Sequence, residues 1–307
     1  MTSRWLAGPV RSSRVRYGAI SGAAALVVLA VAMLPMTGAC AQTQAPSQPQ
    51  TKPAGERVVL LPHRAVYDLK LDTTKPSRSV DAARGRIAFD FTGDACEGYA
   101  LSFRQVTVIE GSETGPRNID VRTTNFEDGD GKLFRFKTQS AVGGRLDDRA
   151  DGVAERNGPG YRVQIRQPKP DRFSFGGDVI FPSEHLKRVI QAARAGQSTY
   201  NVQVYDGSDD GKQIYDTFAV IGRKVEPGPL EGLEEAVRKP EMQQAARWPV
   251  SISYFKAGSG DVSASYAISF DLFENGITRA LVLDYRDFRM TGELVKLDMM
   301  KPSVCVK

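Results

Sequence analysis

The stretch ASYAISFDLFENGITRALVLDY, Ala264–Tyr285, decides how the chain is read. Two alternating runs, Ala264–Phe273 and Thr278–Tyr285, flank Asn275-Gly276. Alternation puts every second side chain on one face of a strand. Asn-Gly is the strongest short hairpin signal, because both residues accept a positive φ. A β-hairpin is expected here, and the same pattern recurs upstream and downstream.

Ala65, Tyr67, Leu69 and Leu71 alternate with Arg64, Asp68 and Lys70. Ile87, Phe89 and Phe91 repeat the style, as do Leu101 with Phe103, Phe134 with Phe136, and Tyr161, Val163 and Ile165. Val202–Tyr205, Ile214–Ile221, Val250–Phe255 and Glu293–Met299 complete the series. Roughly a dozen or more short strands at this spacing predict an all-β fold with one or two helices. Two acidic Gly-rich loops, Asp128–Gly131 and Asp206–Gly211, each join a pair of runs. Neither keeps the ligand spacing of an EF-hand, so both are read as solvated hairpin turns rather than calcium sites.

One helix is clear. Pro182-Ser183 precedes Glu184–Ala195 and Gly196 follows, so Ser183 suits the N-cap and Gly196 the position after the C-cap. Leu186, Val189, Ile190 and Ala193 form one apolar stripe. A weaker helix is expected over Glu231–Arg238, with Leu233, Ala236 and Val237 together and Pro240 ending it.

The 307 residues are 41% hydrophobic and 25% charged, which permits a core and excludes wholesale disorder. The net charge of +5 misleads, because four arginines and no acid fall within residues 1–41. Without that segment 37 Lys and Arg face 36 Asp and Glu, a net of +1. Nucleic-acid binding by bulk charge loses its support. Arg4–Arg16 and then the apolar Ala19–Leu34 read as an export signal. Ala39-Cys40-Ala41 places cleavage after Ala41; the competing reading takes Thr37-Gly38-Ala39-Cys40 as a lipobox, with Cys40 lipidated. Residues 42–57 read as a flexible linker and residues 58–307 as a single β-rich domain. Cleavage leaves two cysteines, Cys96 and Cys305, and an exported chain with an even count points to a disulfide between them. The chain-entropy model gives such a bond an upper value of about 5 kcal/mol.

The sequence carries no recognisable catalytic arrangement. His63 and His185 are its two histidines and neither has zinc spacing, so each is read as a structural histidine. His185 falls in the first helical turn, where the helix dipole disfavours a protonated ring. There is no nucleophile elbow, no phosphate-binding glycine loop and no dinucleotide fingerprint. No catalytic residue, metal ligand or cofactor is assigned.

Six segments, in order, resemble the EipB family of cell-envelope integrity proteins. They are Leu61–Tyr67 (LPHRAVY), Gly93–Tyr99 (GDACEGY), Phe126–Lys132 (FEDGDGK), Phe181–His185 (FPSEH), Val204–Ser208 (VYDGS) and Arg247–Phe255 (RWPVSISYF). With the closing Cys305 they span nearly all of the chain after residue 60. Phe126 departs from the resemblance, which leads one to expect Trp there. The resemblance implies a periplasmic protein of Gram-negative bacteria without established enzymatic activity. It also implies many antiparallel strands in a spiral or open barrel, a helix in the concave side, and the Cys96–Cys305 disulfide. The stripe Leu186, Val189, Ile190 and Ala193 would then face the concavity. Two functions follow as expectations. The first is a non-catalytic envelope protein that binds another envelope protein or a cell-wall component; the alternative is a periplasmic carrier of lipid or lipoprotein with an apolar cleft. A cell-wall hydrolase ranks third.

Overall fold

The computed structural model describes residues 57–301 except 76, 78, 112–114 and 261. The expected leader (1–41), the linker up to residue 56, and Cys305 lie outside the described residues. Fifteen strands follow one another: β1 (His63–Leu71), β2 (Ala82–Asp94), β3 (Gly98–Glu110), β4 (Arg117–Asp128), β5 (Leu133–Val142), β6 (Arg145–Asn157), β7 (Gly160–Gln167), β8 (Asp171–Phe175), β9 (Val179–Ile180), β10 (Thr199–Tyr205), β11 (Ile214–Ile221), β12 (Arg247–Lys256), β13 (Tyr266–Phe273), β14 (Thr278–Asp284) and β15 (Arg289–Met299). Helix α1 (Pro182–Arg194) lies between β9 and β10, and the short α2 (Pro240–Gln243) precedes β12.

All fifteen strands belong to one sheet, which curls into a nearly closed barrel-like wall. Its order runs from β8 back through β1 to β15, and on down to β9. Pairing is antiparallel throughout, except that β9 runs parallel to β10. Period-2 alternation sets the two faces. In β11 the residues Tyr215, Thr217, Ala219 and Ile221 are buried while Phe218 and Val220 face outward. Registered neighbours continue the inner face, from Tyr67 to Ile87 on β2 and to Leu294 on β15.

The inner face holds two cores. The larger joins β1–β3 and β11–β15 to Val189, Ile190, Ala192 and Ala193 of α1. The smaller is aromatic, with Phe134 and Phe136 of β5, Tyr161 of β7, Phe181 just before α1, and Tyr205 of β10. It lies where the ends of the sheet approach: Phe173 and Phe175 of edge strand β8 lie 6.2 and 5.0 Å from the Tyr205 ring. Side chains close the wall there; among the described residues β8 pairs only with β7, and β9 only with β10.

One local expectation is refined and four need correction. The Asn275-Gly276 hairpin exists, but Phe273 N–H donates to Ile277 O at 2.9 Å across a three-residue loop, and Gly276 (φ 88°) has the positive φ that Asn275 lacks. Instead the Asn275 carboxamide oxygen accepts from Ile277 N–H at 3.1 Å. The helix expected over Glu231–Arg238 shrinks to one 3-10 turn, Glu235–Val237. Pro240 opens α2 rather than ending a helix, because its missing N–H costs nothing at a first helical position. Ser183 is not the N-cap of α1; Phe181 is, with no side-chain cap of its own. The Asp206–Gly211 loop is only partly solvated, with Gly207 and Gly211 buried against the aromatic core.

Candidate functional site on the concave face

Helix α1 fills the concave side, and its first turn shows how it is held. Four N–H groups at a helix start lack partners within the helix. Pro182 removes one, having no N–H. Ser183 and Glu184 donate theirs to Glu127 Oε2 and Oε1 at 2.7 and 3.0 Å. The N–H of His185 then makes the first helical bond, to Phe181 O at 2.9 Å. Glu127 comes from the end of β4, where it sits between Tyr99 and Phe134 on the inner face. A carboxylate from a distant strand thus caps the helix, placed where the helix dipole favours negative charge.

Glu127 is 3% exposed. Burial pushes its carboxyl up to about 7, against the lowering influence of the Ser183 and Glu184 N–H groups and the nearby Lys187. The ammonium of Lys187 is engaged with Glu184 at 2.9 Å, one turn back on the same helix. Burial also raises the neighbouring Tyr99 phenol, whose oxygen accepts from Leu60 N–H at 3.3 Å.

His185 points inward one residue further on. Its ring is 4% exposed, and burial brings it down to about 4. Desolvation is the cause. Nε2 lies 3.3 Å from Thr217 Oγ1, whose own proton goes to Val202 O at 2.8 Å. The hydroxyl therefore accepts from His185 Nε2–H, which fixes a neutral tautomer. His63, the other histidine, bonds Leu61 O through Nδ1 at 2.7 Å and stacks on Phe89 at 5.2 Å. It too is lowered by burial, as a structural histidine would be.

Of the expected stripe, Val189 and Ile190 are fully buried, Ala193 is buried, and Leu186 is half-buried near Gly276 and Leu60. The inward face also includes His185 and Ala192, so the helix is rotated slightly from the purely apolar reading. At the other end Gly196 N–H donates to Ala193 O and Gln197 N–H to Ala192 O, both at 3.0 Å. That pair of bonds is the Schellman stop expected of Gly196.

Sequence reasoning missed Glu127. It stands beside Asp128-Gly129-Asp130-Gly131 and looks like part of an acidic, solvated turn. Only the alternation of β4 sends it inward while Asp128 turns outward to bind the N–H groups of Lys132 and Leu133 at 2.6 and 2.9 Å. Cys96 lies in the neighbouring turn, where Asp94 Oδ1 accepts its N–H at 2.8 Å and Gly129 packs against its carbonyl. Among the described residues no three His, Cys, Asp or Glu side chains gather as a metal site. The arrangement clamps a helix.

Comparison with known proteins agrees with this architecture. A family described as EipB-like matches residues 54–301. The chain belongs to the EipB-like family. It is 37% identical over 253 residues to the cell envelope integrity protein EipB of Brucella abortus (strain 2308), covering 80% of this chain and 86% of that relative. It is also similar to the crystal structure of a beta-barrel-like protein of a domain of unknown function, DUF1849, from Brucella abortus. The TM-score is 0.71 at 37% identity, over 79% of this chain and 99% of the other. Family membership supports a role in cell-envelope integrity.

Proposed function

We propose that the protein is a non-catalytic periplasmic factor that supports envelope integrity by binding another envelope protein or cell-wall component. The observation that carries this reading is the state of the concave face. Helix α1 occupies it with Val189, Ile190 and Ala193, and Glu127 caps its first turn, so the face serves as a rigid core. A carrier of lipid or lipoprotein needs an apolar cleft, and here that cleft would open only on displacement of α1. Export through residues 1–41 and a Cys96–Cys305 disulfide belong to the same proposal. What supports the bond is that Cys96 and Cys305 are the two cysteines left after cleavage at Ala41, an even count in an exported chain.

Native mass spectrometry of protein purified from its own envelope fraction tests the reading. The expected result is a bare chain starting at Gln42, about two protons lighter than the reduced form. A lipid-sized adduct lost on denaturation would transfer the proposal to the carrier, and an acyl mass on Cys40 would make the protein an anchored lipoprotein. Zymography on cell-wall material is expected to stay blank; a cleared band that depends on this chain would overturn the non-catalytic reading.

A further inference from the structure

The outer face of the wall differs in charge from one side to the other. On β1–β4 five arginines meet carboxylates on their own or a neighbouring strand. Arg64 pairs with Asp90 at 2.9 Å, Arg86 with Asp68 at 2.6 Å, and Arg84 with Glu110 at 3.1 Å. Arg104 and Arg122 share Asp120, each at 2.9 Å. On β5–β8 eight Lys and Arg face five acids, Asp147 and Asp148 at the start of β6, Asp151 and Glu155 further along it, and Asp171 on β8, so bases are in excess. Arg166 takes Asp151 at 2.6 Å. Asp171, beside Arg172 in sequence, is taken by Lys212 at 2.5 Å. Glu155 stands across from Arg162 in register, yet the two are not within ion-pair distance.

Two unpaired guanidinium groups remain next to each other. Arg162 pairs with Ser174, and Gln164 with Arg172, so the arginines are diagonal neighbours on β7 and β8. Together with Gln164, Phe173 and Ser174 they line one groove of about 320 Å³. A second groove of about 590 Å³ shares Gln164 and Arg172 and adds Arg166 and Asp171, whose carboxylate is held by Lys212.

We propose that this arginine groove binds a phosphate group. Each guanidinium presents a planar fork of donors that matches phosphate oxygens two at a time. Two such forks suit an anion with three acceptor oxygens and a charge near −2, where a single carboxylate offers two oxygens and one charge. The Gln164 amide and the Ser174 hydroxyl add neutral donors at the same groove. The phosphate can be that of an envelope lipid headgroup or of a soluble phosphate compound. The site lies on the face opposite α1 and holds whatever the concave face does.

The test uses the purified full chain. Pyrophosphate binding is measured by titration calorimetry at low salt. Vesicle binding is measured by co-sedimentation with phosphatidylcholine vesicles containing phosphatidic acid, against pure phosphatidylcholine. The variant is Arg162→Gln with Arg172→Gln; the reference variant, Arg86→Gln with Arg104→Gln, removes two arginines that already have carboxylates. All four side chains are exposed, and a thermal melt checks that each variant is folded. Wild type is expected to bind pyrophosphate, with affinity falling as salt rises. The groove variant is expected to lose at least about tenfold, and the reference variant less than about twofold. Binding to the phosphatidic acid vesicles as well assigns the headgroup; pyrophosphate binding alone assigns the soluble compound. Absence of pyrophosphate binding, equal loss in both variants, or equally tight binding of polyglutamate would overturn the proposal.

Discussion

Two Asp- and Gly-rich hairpin loops read alike in the sequence and are placed differently in the fold. The loop at 128–131 touches the neighbouring turn at Gly129 but is open at Gly131, which has nothing within 4 Å of where a Cβ would stand. The loop at 206–211 presses on the aromatic core, and a Cβ on Gly207 would meet Phe136 Cγ at 2.3 Å. Tyr205 anchors the second loop by donating its hydroxyl proton to Gly211 O at 2.6 Å. The difference comes from strand order rather than from loop composition. The second loop follows β10, beside the sheet's β9 edge, and Tyr205 of β10 meets the rings of β8 from the opposite edge. A curled sheet that stops short of hydrogen-bonded closure needs side chains to join its ends, and here those side chains are rings.

The largest expected effect tests that junction. Phe136 is 3% exposed and lies edge-on to Tyr205 at 5.6 Å. Phe136→Ala should cost about 3–5 kcal/mol in urea unfolding, through lost transfer energy and the cavity left behind. Amide exchange should quicken in β8 and in residues 206–215 while the 128–131 loop keeps its rate. Uniform acceleration across the whole sheet would mean that the ends are not a separable unit.

Glu127 sharpens the comparison, because it is the point at which the first hairpin reaches inside. Its folded carboxyl sits at about 7 against an ordinary value of 4.5. Between these values the folded state keeps a proton that the unfolded chain has released. Stability from this group is therefore full below about pH 4.5 and lost as pH rises toward about 7, by about 3 kcal/mol in all. His185 works the other way. Its depressed value makes stability fall as pH drops from 6.5 toward about 4. Subtracting the pH curve of Glu127→Gln from that of wild type cancels His185 and isolates Glu127. The difference should slope toward lower wild-type stability across pH 4.5–7; a flat difference would show that Glu127 stays charged while it caps α1.

Much of the wall was legible because alternation is a backbone-scale signal. Tyr67 with Leu69, Ile87 with Phe91, and Tyr215 with Ile221 announced their strands through apolar residues two apart. β6 escaped, because Arg145–Asn157 holds mostly charged and small residues, and Ala150, Gly152 and Ala154 face inward where rings from β5 fill the space. The helix was legible through its stripe and Gly196, but its N-terminal cap was not. Ser183 is a good local candidate, and no local rule states that Glu127, 56 residues away, supplies both oxygens. The arginine groove was equally hidden, since Arg162 and Arg172 become neighbours only once β7 pairs with β8.

The smallest expected effect sets the two loops directly against each other. Gly131 and Gly207 have nearly the same left-handed backbone, φ 63° and 70°. Alanine at either position pays the same penalty for that conformation, about 1–2 kcal/mol. At 131 nothing is added, because the methyl group enters open space. At 207 it would overlap the Phe136 ring, and overpacking adds about 1–3 kcal/mol. Gly207→Ala should therefore unfold at lower urea than Gly131→Ala. In a Phe136→Ala background the ring overlap is removed and only the contact with the Cβ of residue 136, at 2.8 Å, is left, so the gap between the two substitutions should narrow. If Gly207→Ala costs no more than Gly131→Ala with Phe136 in place, the second loop moves away from the aromatic core more easily than its contacts imply, and the ends of the sheet are held by the rings of β5, β8 and β10 without it.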